Sequence, residues 1–551
     1  MLRRPALACS GVVLSGVLFG ALAQAQDRPT EQDLFGGSPT TAAPAAPPAT
    51  VPAPASPPVT TPAAADAPAA PAPPTVAGEP AAPTFTGSES RDSQVLGSAQ
   101  NAMFSEDAAP DDPLKIGGQL YLRAQTTGAR GQAPGNWSFS SPSLLDVYLD
   151  ARPNDRVRGF ALGRMVYDPT LPASASDAQS IGTVSATGGT SGSQSLSSLF
   201  TRPTRGPSAT LDQLWLRFDI AHTVFVTAGK QHVRWGTGHF WAPTDFLHLR
   251  PRNPLDVFDA RTGTTMLKLH LPIESRAWNF YGYLLTESNT STATLGSVAA
   301  AGRAEFVLGP AELGLGTLAQ RSLKPKFAAD LSFGIGDFDV YGELGLRAGN
   351  EIDRVRYDSG AMPTAVSSPA SEDEARAALE QVVDAYYPVY RSNGYKPQLV
   401  AGASYAHKYN DNDTFTVGGE YFYNALGYAN PSAYPGLVLP HSTSLNDSAN
   451  FFYLGRQYAA LYVSFPAPYS LDNHTFTLST LGNLSDRSFI TRFDYSLVAL
   501  THLRFEAFVS ARYGNENGEF RFGVQHLNLG GIDFNRAPAL LDFGLALRIA
   551  I

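Results

Sequence analysis

Residues 337–347, DFDVYGELGLR, alternate apolar and polar side chains along their whole length. One row contains Phe338, Val340, Leu344 and Leu346, and the opposite row contains Asp339, Tyr341, Glu343 and Arg347. A repeat of two residues places successive side chains on opposite faces of an extended chain. The stretch therefore predicts a β-strand whose two faces meet different surroundings.

The same alternation of apolar and polar residues continues from about residue 114 to the end of the chain, for example in 326–334 and 540–551. A soluble sandwich also alternates, so the number and length of the strands matter. Most of the candidate strands have the ~9–11 residues that suit a tilted membrane strand. We predict 18 of them: 115–126, 142–151, 156–167, 209–219, 222–230, 263–271, 275–286, 302–309, 311–320, 324–334, 337–348, 397–408, 414–426, 455–465, 473–482, 488–498, 502–513 and 541–551.

The connections between these strands alternate in length. Short ones such as RPNDR, IAH, LPIES, GPA, IGD, YNDND and ALTH separate long ones at 168–208, 231–262, 287–301, 349–396, 427–454 and 514–540. Short turns at one end and long loops at the other are typical of bacterial outer-membrane barrels. The predicted fold class is all-β, a transmembrane antiparallel β-barrel of about 18 strands at 114–551, with both termini at the periplasmic end.

The N-terminus predicts export. Residues 1–25 combine Arg3 and Arg4 with an apolar run and small residues at the end, which indicates a signal peptide cleaved after Ala25. The single cysteine, Cys9, lies inside it, so the mature chain has no thiol chemistry. Residues 26–113, rich in Pro and Ala between 39 and 83, predict a disordered periplasmic tether.

Charge narrows the class of partner. The formal charge is −9, and it falls to −11 once the two leader arginines are removed, which argues against nucleic acid. We expect no cofactor. The expected partners are outer-membrane lipid and a hydrophilic solute or polysaccharide.

Inward-facing charges follow from the apolar rows facing lipid, where an Arg or Lys near the midplane costs ~2–4 kcal/mol. These charges could be paired across strands and only keep the wall wet, or they could line an aqueous path. For the set as a whole we favour the path, because side chains alone cannot fill an 18-stranded barrel. The predicted pore-lining residues are Arg123, Arg217, Lys268, Glu305, Lys326, Asp330, Glu343, Arg347, Glu420, Arg456, Arg492, Glu506, Arg512 and Arg548.

One strand departs from the pattern. In 156–167, Arg158 and Arg164 share a row with Phe160 and Leu162, so a bulge or a position beyond the lipid band is expected there.

The most unusual long loop is residues 229–259, GKQHVRWGTGHFWAPTDFLHLRPRNPLDVFD, which packs basic, aromatic and acidic residues together. Gly236 and Gly238 permit a sharp turn away from the strand. We predict a loop that folds inward and narrows the lumen, and the alternative is a loop packed on the outside. The predicted constriction residues are Arg234, Trp235, His239, Trp241, Asp245, Arg250, Arg252 and Asp256.

Two kinds of chemistry compete with this interpretation. His239, Asp245 and His248 have no spacing typical of a metal-ligand pair, so no metal is predicted. A hydrolase needs a nucleophile beside a base, and only HSTS at 441–444 offers one. No enzyme activity is expected.

A second loop predicts a helix. Ser371 and Glu374 have capping-box spacing, and Leu379, Val382 and Tyr386 follow at helical intervals. A helix over 371–390 could cap or partly plug the barrel, or lie on its rim.

The strand count, the charged lumen, the GKQHVRWGTGHFWAPTDF loop and the last strand together resemble porin-like outer-membrane barrels. In particular they resemble the 18-stranded group that includes the alginate-exporter family. The last strand, LLDFGLALRIAI, resembles the C-terminal assembly signal of such barrels, although it ends in Ile551 and not in an aromatic residue.

The resemblance implies outward passage of a polysaccharide, with periplasmic export components as partners. The nearly balanced lumen charges fit a neutral or mixed-charge polymer better than a polyanion. The alternatives are a general diffusion porin for small solutes and a plugged surface receptor or adhesion barrel.

Overall fold

The computed structural model describes most of the chain after residue 112. The described residues are 113–171, 207–248, 250–255, 261–286, 297–321, 323–361, 372–409, 414–439, 441, 442, 445, 450–529 and 532–550. The predicted signal peptide at 1–25 lies outside them, as does all of the predicted tether except Pro113.

Eighteen long strands form the body of the structure. They are β1 (Leu114–Ala129), β2 (Ser143–Asn154), β3 (Val157–Tyr167), β4 (Ser208–Ile220), β5 (Val224–Gln231), β6 (Thr264–Ile273), β7 (Trp278–Leu285), β8 (Ala299–Leu308), β9 (Ala311–Gln320), β10 (Lys326–Ile335), β11 (Phe338–Ala348), β12 (Tyr395–Lys408), β13 (Thr414–Asn424), β14 (Gln457–Pro466), β15 (His474–Asn483), β16 (Ser488–Leu500), β17 (Leu503–Gly514) and β18 (Ala539–Ala550).

The strands close into a ring. Each long strand pairs antiparallel with the next in the chain, and β18 pairs with β1 from Gln119↔Ala550 to Ala129↔Ala539. Closure leaves no long strand at a sheet edge, so the backbone hydrogen bonds of the wall are satisfied within it. The predicted barrel of 18 strands is confirmed, and each predicted strand boundary lies within three residues of the observed one.

The described loops also contain two α-helices and several short strands. The helices are α1 (Glu372–Tyr386) and α2 (Tyr434–Val438), and the short strands are Ser138–Ser140, Arg354–Val355, Val389–Tyr390, Val524–Leu529 and Ile532–Arg536. No described helix has the length and apolar character needed to cross a membrane.

The two faces of the wall differ as the alternation predicts. In β18, Phe543 and Leu545 are 49% and 53% exposed, while Asp542 and Arg548 in the opposite row are 3% and 4% exposed. The outside of the ring is therefore apolar and the inside polar, which suits a closed barrel surrounded by lipid.

β3 shows how its irregular pattern is resolved. Phe160 and Leu162 are buried, and Phe160 stacks on Trp215 at 5.4 Å between ring centroids, so this apolar pair faces inward together with Arg164. The assumption that the apolar row faces lipid is wrong for this strand. The pairing of β3 with β4 shifts register between Leu162 and Gly163, and the extra residue is Asp212 of β4, so the bulge lies in the neighbouring strand and not in 156–167, where it was expected.

Connection length separates the two ends of the barrel. The predicted short turns all lie at one end, and the predicted long loops all lie at the other. This second end is the extracellular one in outer-membrane barrels. Its nine connections are numbered in chain order: L1 (130–142), L2 (168–207), L3 (232–263), L4 (286–298), L5 (321–325), L6 (349–394), L7 (425–456), L8 (484–487) and L9 (515–538).

Candidate functional site: a loop held across the lumen

L3 leaves the wall after β5 and turns inward. Gly236 has φ +97°, a conformation that residues with a side chain rarely adopt, and it redirects the chain two residues after Arg234. Trp235 is fully buried against β9, where a Cβ on Gly316 would lie 2.9 Å from its indole ring. The base of L3 is thus fixed to the inner wall.

Glu420 on β13 holds the middle of L3. Its carboxylate accepts hydrogen bonds from the backbone N–H groups of three successive residues: His239 at 2.6 Å, Phe240 at 3.2 Å and Trp241 at 2.8 Å. The Tyr341 hydroxyl donates to the same carboxylate at 2.9 Å. β5 and β13 are eight strands apart in a ring of 18, so L3 reaches almost the opposite wall.

Glu343 on β11 holds L3 at a second point. It accepts hydrogen bonds from the Gly238 backbone N–H and from the Thr244 hydroxyl, the latter at 2.8 Å. Both Glu343 and Glu420 are buried, at 3% and 4% exposure. The prediction that Glu343 and Glu420 line an open aqueous path is therefore wrong, because their carboxylates accept hydrogen bonds from backbone N–H groups of L3.

Aromatic contacts complete the attachment of L3. Trp241 stacks on Phe422 at 5.5 Å, and its indole N–H donates to the Phe452 carbonyl of L7 at 3.0 Å. His239 stacks on Tyr462 of β14 at 4.7 Å. The described part of L3 is thus packed inside the barrel, as the inward-folding prediction requires.

A buried ion group stabilises the second half of L3. The Asp245 carboxylate lies 3.0 Å from His248 Nδ1 and 3.0 Å from Arg261 Nη1. Burial alone would raise the pKa of Asp245, but the facing His248 and Arg261 outweigh it and lower the pKa to about 2. Asp245 therefore remains ionised and paired with Arg261.

The other predicted constriction residues lie in different surroundings. The Arg234 guanidinium donates to the Gly238 carbonyl and is buried, so it stabilises the turn. Arg250 is exposed and Arg252 is half-buried. Asp256 lies outside the described residues.

Seven of the fourteen predicted pore-lining residues form ion pairs with described partners. Arg303 joins Glu305 and Asp330, each at 2.8 Å, and Lys326 lies 2.9 Å from Glu351. On the opposite wall the pairs are Arg492–Asp494, Arg512–Asp542 and Arg548–Glu506, at 2.6, 2.7 and 2.9 Å. The similar numbers of acidic and basic inward-facing residues in the sequence thus reflect, for half of the predicted set, ion pairs between neighbouring side chains.

The remaining predicted wall cations have other contacts. Arg217 and Lys268 lie over the rings of Phe225 and Tyr281, both at 5.6 Å. Arg123 lies over Phe508 at 4.7 Å. Within the described residues, no carboxylate forms an ion pair with Arg123, Arg347 or Arg456.

A cavity of about 80 Å³ lies between L3, L6 and L7. Four arginines border it: Arg252, Arg261, Arg347 and Arg354. The two carboxylates among the described residues that line it are Asp245, which pairs with Arg261, and Asp353, which lies 2.6 Å from Arg391. The described part of the lining therefore carries a surplus of positive charge.

The predicted helix is present as α1, with 15 residues. Val382 and Val383 are buried in a cluster with Tyr434 and Leu437 of α2 and Phe522 of L9. The expected cap residue Ser371 lies outside the described residues. α1 thus packs among the extracellular loops.

L9 is attached by a buried carboxylate, Glu519, that forms no ion pair with a described cation. It accepts from the Tyr458 hydroxyl at 2.5 Å and from Asn483 Nδ2 at 2.8 Å, and the Glu519 backbone N–H donates to Asp486 at 2.8 Å. Burial and the neighbouring Asp486 raise the pKa of Glu519 to about 8. Glu519 is therefore mostly protonated at neutral pH.

The first two residues of HSTS do not form a nucleophile–base pair. His441 Nδ1 lies 2.7 Å from Asp384 and its Nε2 lies 2.6 Å from the Gly436 carbonyl. The Ser442 hydroxyl donates to the Asp384 carboxylate and not to the imidazole. This arrangement joins L6 to L7. Thr443 and Ser444, the other two residues of the motif, lie outside the described residues.

Several residues of the site were missed in the sequence analysis. Arg303 lies on the same inward row as Glu305, so the two-residue repeat could have identified it. Asp212 lies at the register shift of β4, where the repeat is interrupted, and no repeat marks it. Arg261, Arg354 and Glu519 are in loops, where no repeat marks them, and only the folded chain brings them to their partners.

The closed ring, its apolar exterior and its polar lumen define a transmembrane β-barrel of the outer-membrane type. No protein-family model and no curated protein sequence matches the chain.

Solved structures do match it. Acinetobacter baumannii OccAB1 is 10% identical with a TM-score of 0.44, and the match covers 81% of this chain and 98% of that one. Pseudomonas aeruginosa OccK5 (OpdH) is 9% identical with a TM-score of 0.40, covering 80% and 98%. Pseudomonas aeruginosa OccK8 (OprE) is 8% identical with a TM-score of 0.42, again covering 80% and 98%. At these identities the likeness concerns the fold alone.

Proposed function

We propose that this protein is an outer-membrane channel for small hydrophilic solutes, with L3 as its constriction. The observation that carries the proposal is the double attachment of L3 to Glu343 and Glu420 on the far wall. A loop fixed at several points across a polar lumen narrows the passage that the wall encloses. Its buried hydrogen bonds would keep the opening at a constant size.

A small solute fits this arrangement better than the polysaccharide that the resemblance to export barrels implies. L3 also reaches β16, where Arg492 donates to the Leu255 carbonyl at 3.1 Å. L7 and L9 pack against L3 through Phe452 and Phe520. An exported polymer needs a wide and continuous path, whereas a lumen crossed by L3 and bordered by packed loops favours the general porin among the alternatives.

The charge of the cavity beside L3 favours anions. Arg347 lies over the Phe246 ring at 5.3 Å, and no carboxylate among the described residues forms an ion pair with it. The two acidic residues in the described lining of the cavity pair with Arg261 and Arg391. A surplus of arginine at a constriction raises the local concentration of anionic solutes.

Planar-bilayer recording of the refolded mature protein tests the proposal. We expect discrete conductance steps with a reversal potential that indicates anion preference in a salt gradient. A variant lacking residues 236–259 should give larger steps with weaker preference, because both the obstruction and part of the arginine surplus are removed.

A folded protein without conductance, whose deletion variant is also silent, would contradict the channel. A silent intact protein with a conducting deletion variant would support the plugged receptor instead. Correct folding is checked in each case by the shift in electrophoretic mobility on heating.

A further inference from the structure

A continuous row of buried polar groups runs from β1 to the root of L3. Gln119 donates to Asp146 at 3.0 Å, and Arg164 joins Asp146 at 2.9 Å and Asp212 at 3.4 Å. Asp212 in turn lies 3.1 Å from His232 Nε2, at the start of L3. All five side chains belong to residues that are at most 5% exposed.

The other half of L3 brings a second histidine to the end of this row. The rings of His232 and His248 lie 5.7 Å apart between centroids, at an angle of 34°. His248 Nδ1 faces Asp245, which Arg261 also contacts. Each imidazole is therefore flanked by a carboxylate and lies beside the other imidazole. His232 Nδ1 is buried without a hydrogen-bond partner among the described residues.

The described groups of this row carry more negative than positive charge while both imidazoles are neutral. Asp146, Asp212 and Asp245 contribute three negative charges, and Arg164 and Arg261 contribute two positive ones. Each imidazole therefore has a carboxylate beside it that favours a first proton. A second proton would place two imidazolium rings beside each other in a buried site, where like charges repel strongly.

The surroundings oppose the second proton further. On the wall side of His232 the charged groups are Arg164 and Asp212 from β3 and β4. On the cavity side of His248, Arg252, Arg347 and Arg354 border the same cavity as Asp353. The described residues on this cavity side carry a surplus of positive charge.

We propose that His232 and His248 form a proton-binding pair that sets the position of L3. Acidification protonates both rings, and the two imidazolium charges then repel each other and release the root of L3 from the wall. Histidine suits this role because its charge ordinarily changes between pH 5 and 8. The proposal rests on the proposed function and deepens it, because it concerns the constriction of the same channel.

Hydrogen exchange of the L3 backbone, followed by mass spectrometry, tests the pair without requiring any conductance. The N–H groups of His239, Phe240 and Trp241 report directly on the docking of L3 to Glu420. After correction for the intrinsic effect of pH on exchange, we expect their protection in the intact protein to fall at least tenfold between pH 7 and pH 5.

The variants His232→Gln and His248→Gln should each lose this response, with a change of less than twofold over the same range. His474→Gln is the matched control. His474 bonds the Tyr495 hydroxyl at 2.8 Å, close to the opposite end of the barrel, so its variant should respond like the intact protein. Glutamine keeps a polar group at each position and allows folding to be compared.

Equal protection of L3 at pH 7 and pH 5 in the intact protein would overturn the proposal. So would an acid response that persists in both histidine variants. Because exchange is measured on the folded barrel, a silent bilayer recording would count against the channel and leave this test of the pair intact.

Discussion

Removing the Glu420 carboxylate should undock L3. In Glu420→Ala the N–H groups of His239, Phe240 and Trp241 lose their shared acceptor. A buried donor left unsatisfied costs about 1–3 kcal/mol, so three of them cost on the order of 3–9 kcal/mol if water stays out. Entering water would restore part of this loss. With about 3 kcal/mol remaining, the ratio of docked to undocked L3 would fall roughly a hundredfold.

Single-channel recording measures this change as the fraction of time spent in a larger conductance state. The intact protein should show one main level, and Glu420→Ala should visit a second, larger level frequently. Glu420→Gln retains one acceptor oxygen and should have an intermediate effect, since it loses the charge and the second oxygen.

Glu506→Ala is the matched control, because Glu506 is a wall carboxylate that pairs with Arg548 at 2.9 Å. It removes a lumen charge and leaves both attachment points of L3 in place. If Glu420→Ala folds normally and its conductance levels match those of the intact protein, the attachment of L3 by Glu420 is refuted as the source of the constriction.

Three further changes test other parts of the site. Arg347→Ala should reduce the anion preference measured in a salt gradient severalfold, because it removes a cation that no described carboxylate neutralises. An unchanged reversal potential would argue against the selection of anions by these arginines. Gly238→Ala should weaken the turn of L3, because a Cβ there would overlap the Trp241 carbonyl oxygen, and increased protease cleavage within L3 would reveal it. The raised pKa of Glu519 means that its stabilisation of L9 is complete below the ordinary carboxyl pKa of ~4.3 and is lost as the pH rises through about 8. Cleavage of L9 should therefore increase between pH 6 and pH 9, and Glu519→Gln should abolish that dependence.

The sequence analysis was most successful where a residue's neighbours along the chain determine its environment. In β18, Leu541, Phe543 and Leu545 alternate with polar or small residues such as Asp542. Successive side chains of this strand are exposed and buried in the same alternation. The alternation is visible because lipid and the lumen act on opposite faces of every strand. The same argument was wrong for Phe160 and Leu162, since an inward apolar pair needs partners such as Trp215 from another strand.

The inward course of L3 could be predicted from its glycines and aromatic residues, but its attachments could not. Glu343 and Glu420 look in sequence like any other inward-facing carboxylates. They lie 99 or more residues from the L3 groups that they bind, and only ring closure brings β11 and β13 opposite β5.

The amino-acid sequence by itself determined the strands, their two faces and the end of the barrel that carries the long loops, because each of these depends on a repeat of two residues or on local turn chemistry. The tertiary structure alone decided which wall charges are neutralised, which carboxylates hold L3 and which histidines meet at its root. Those outcomes depend on contacts between residues far apart in the chain, and the energy of a buried charge is set by the partner that the fold places beside it.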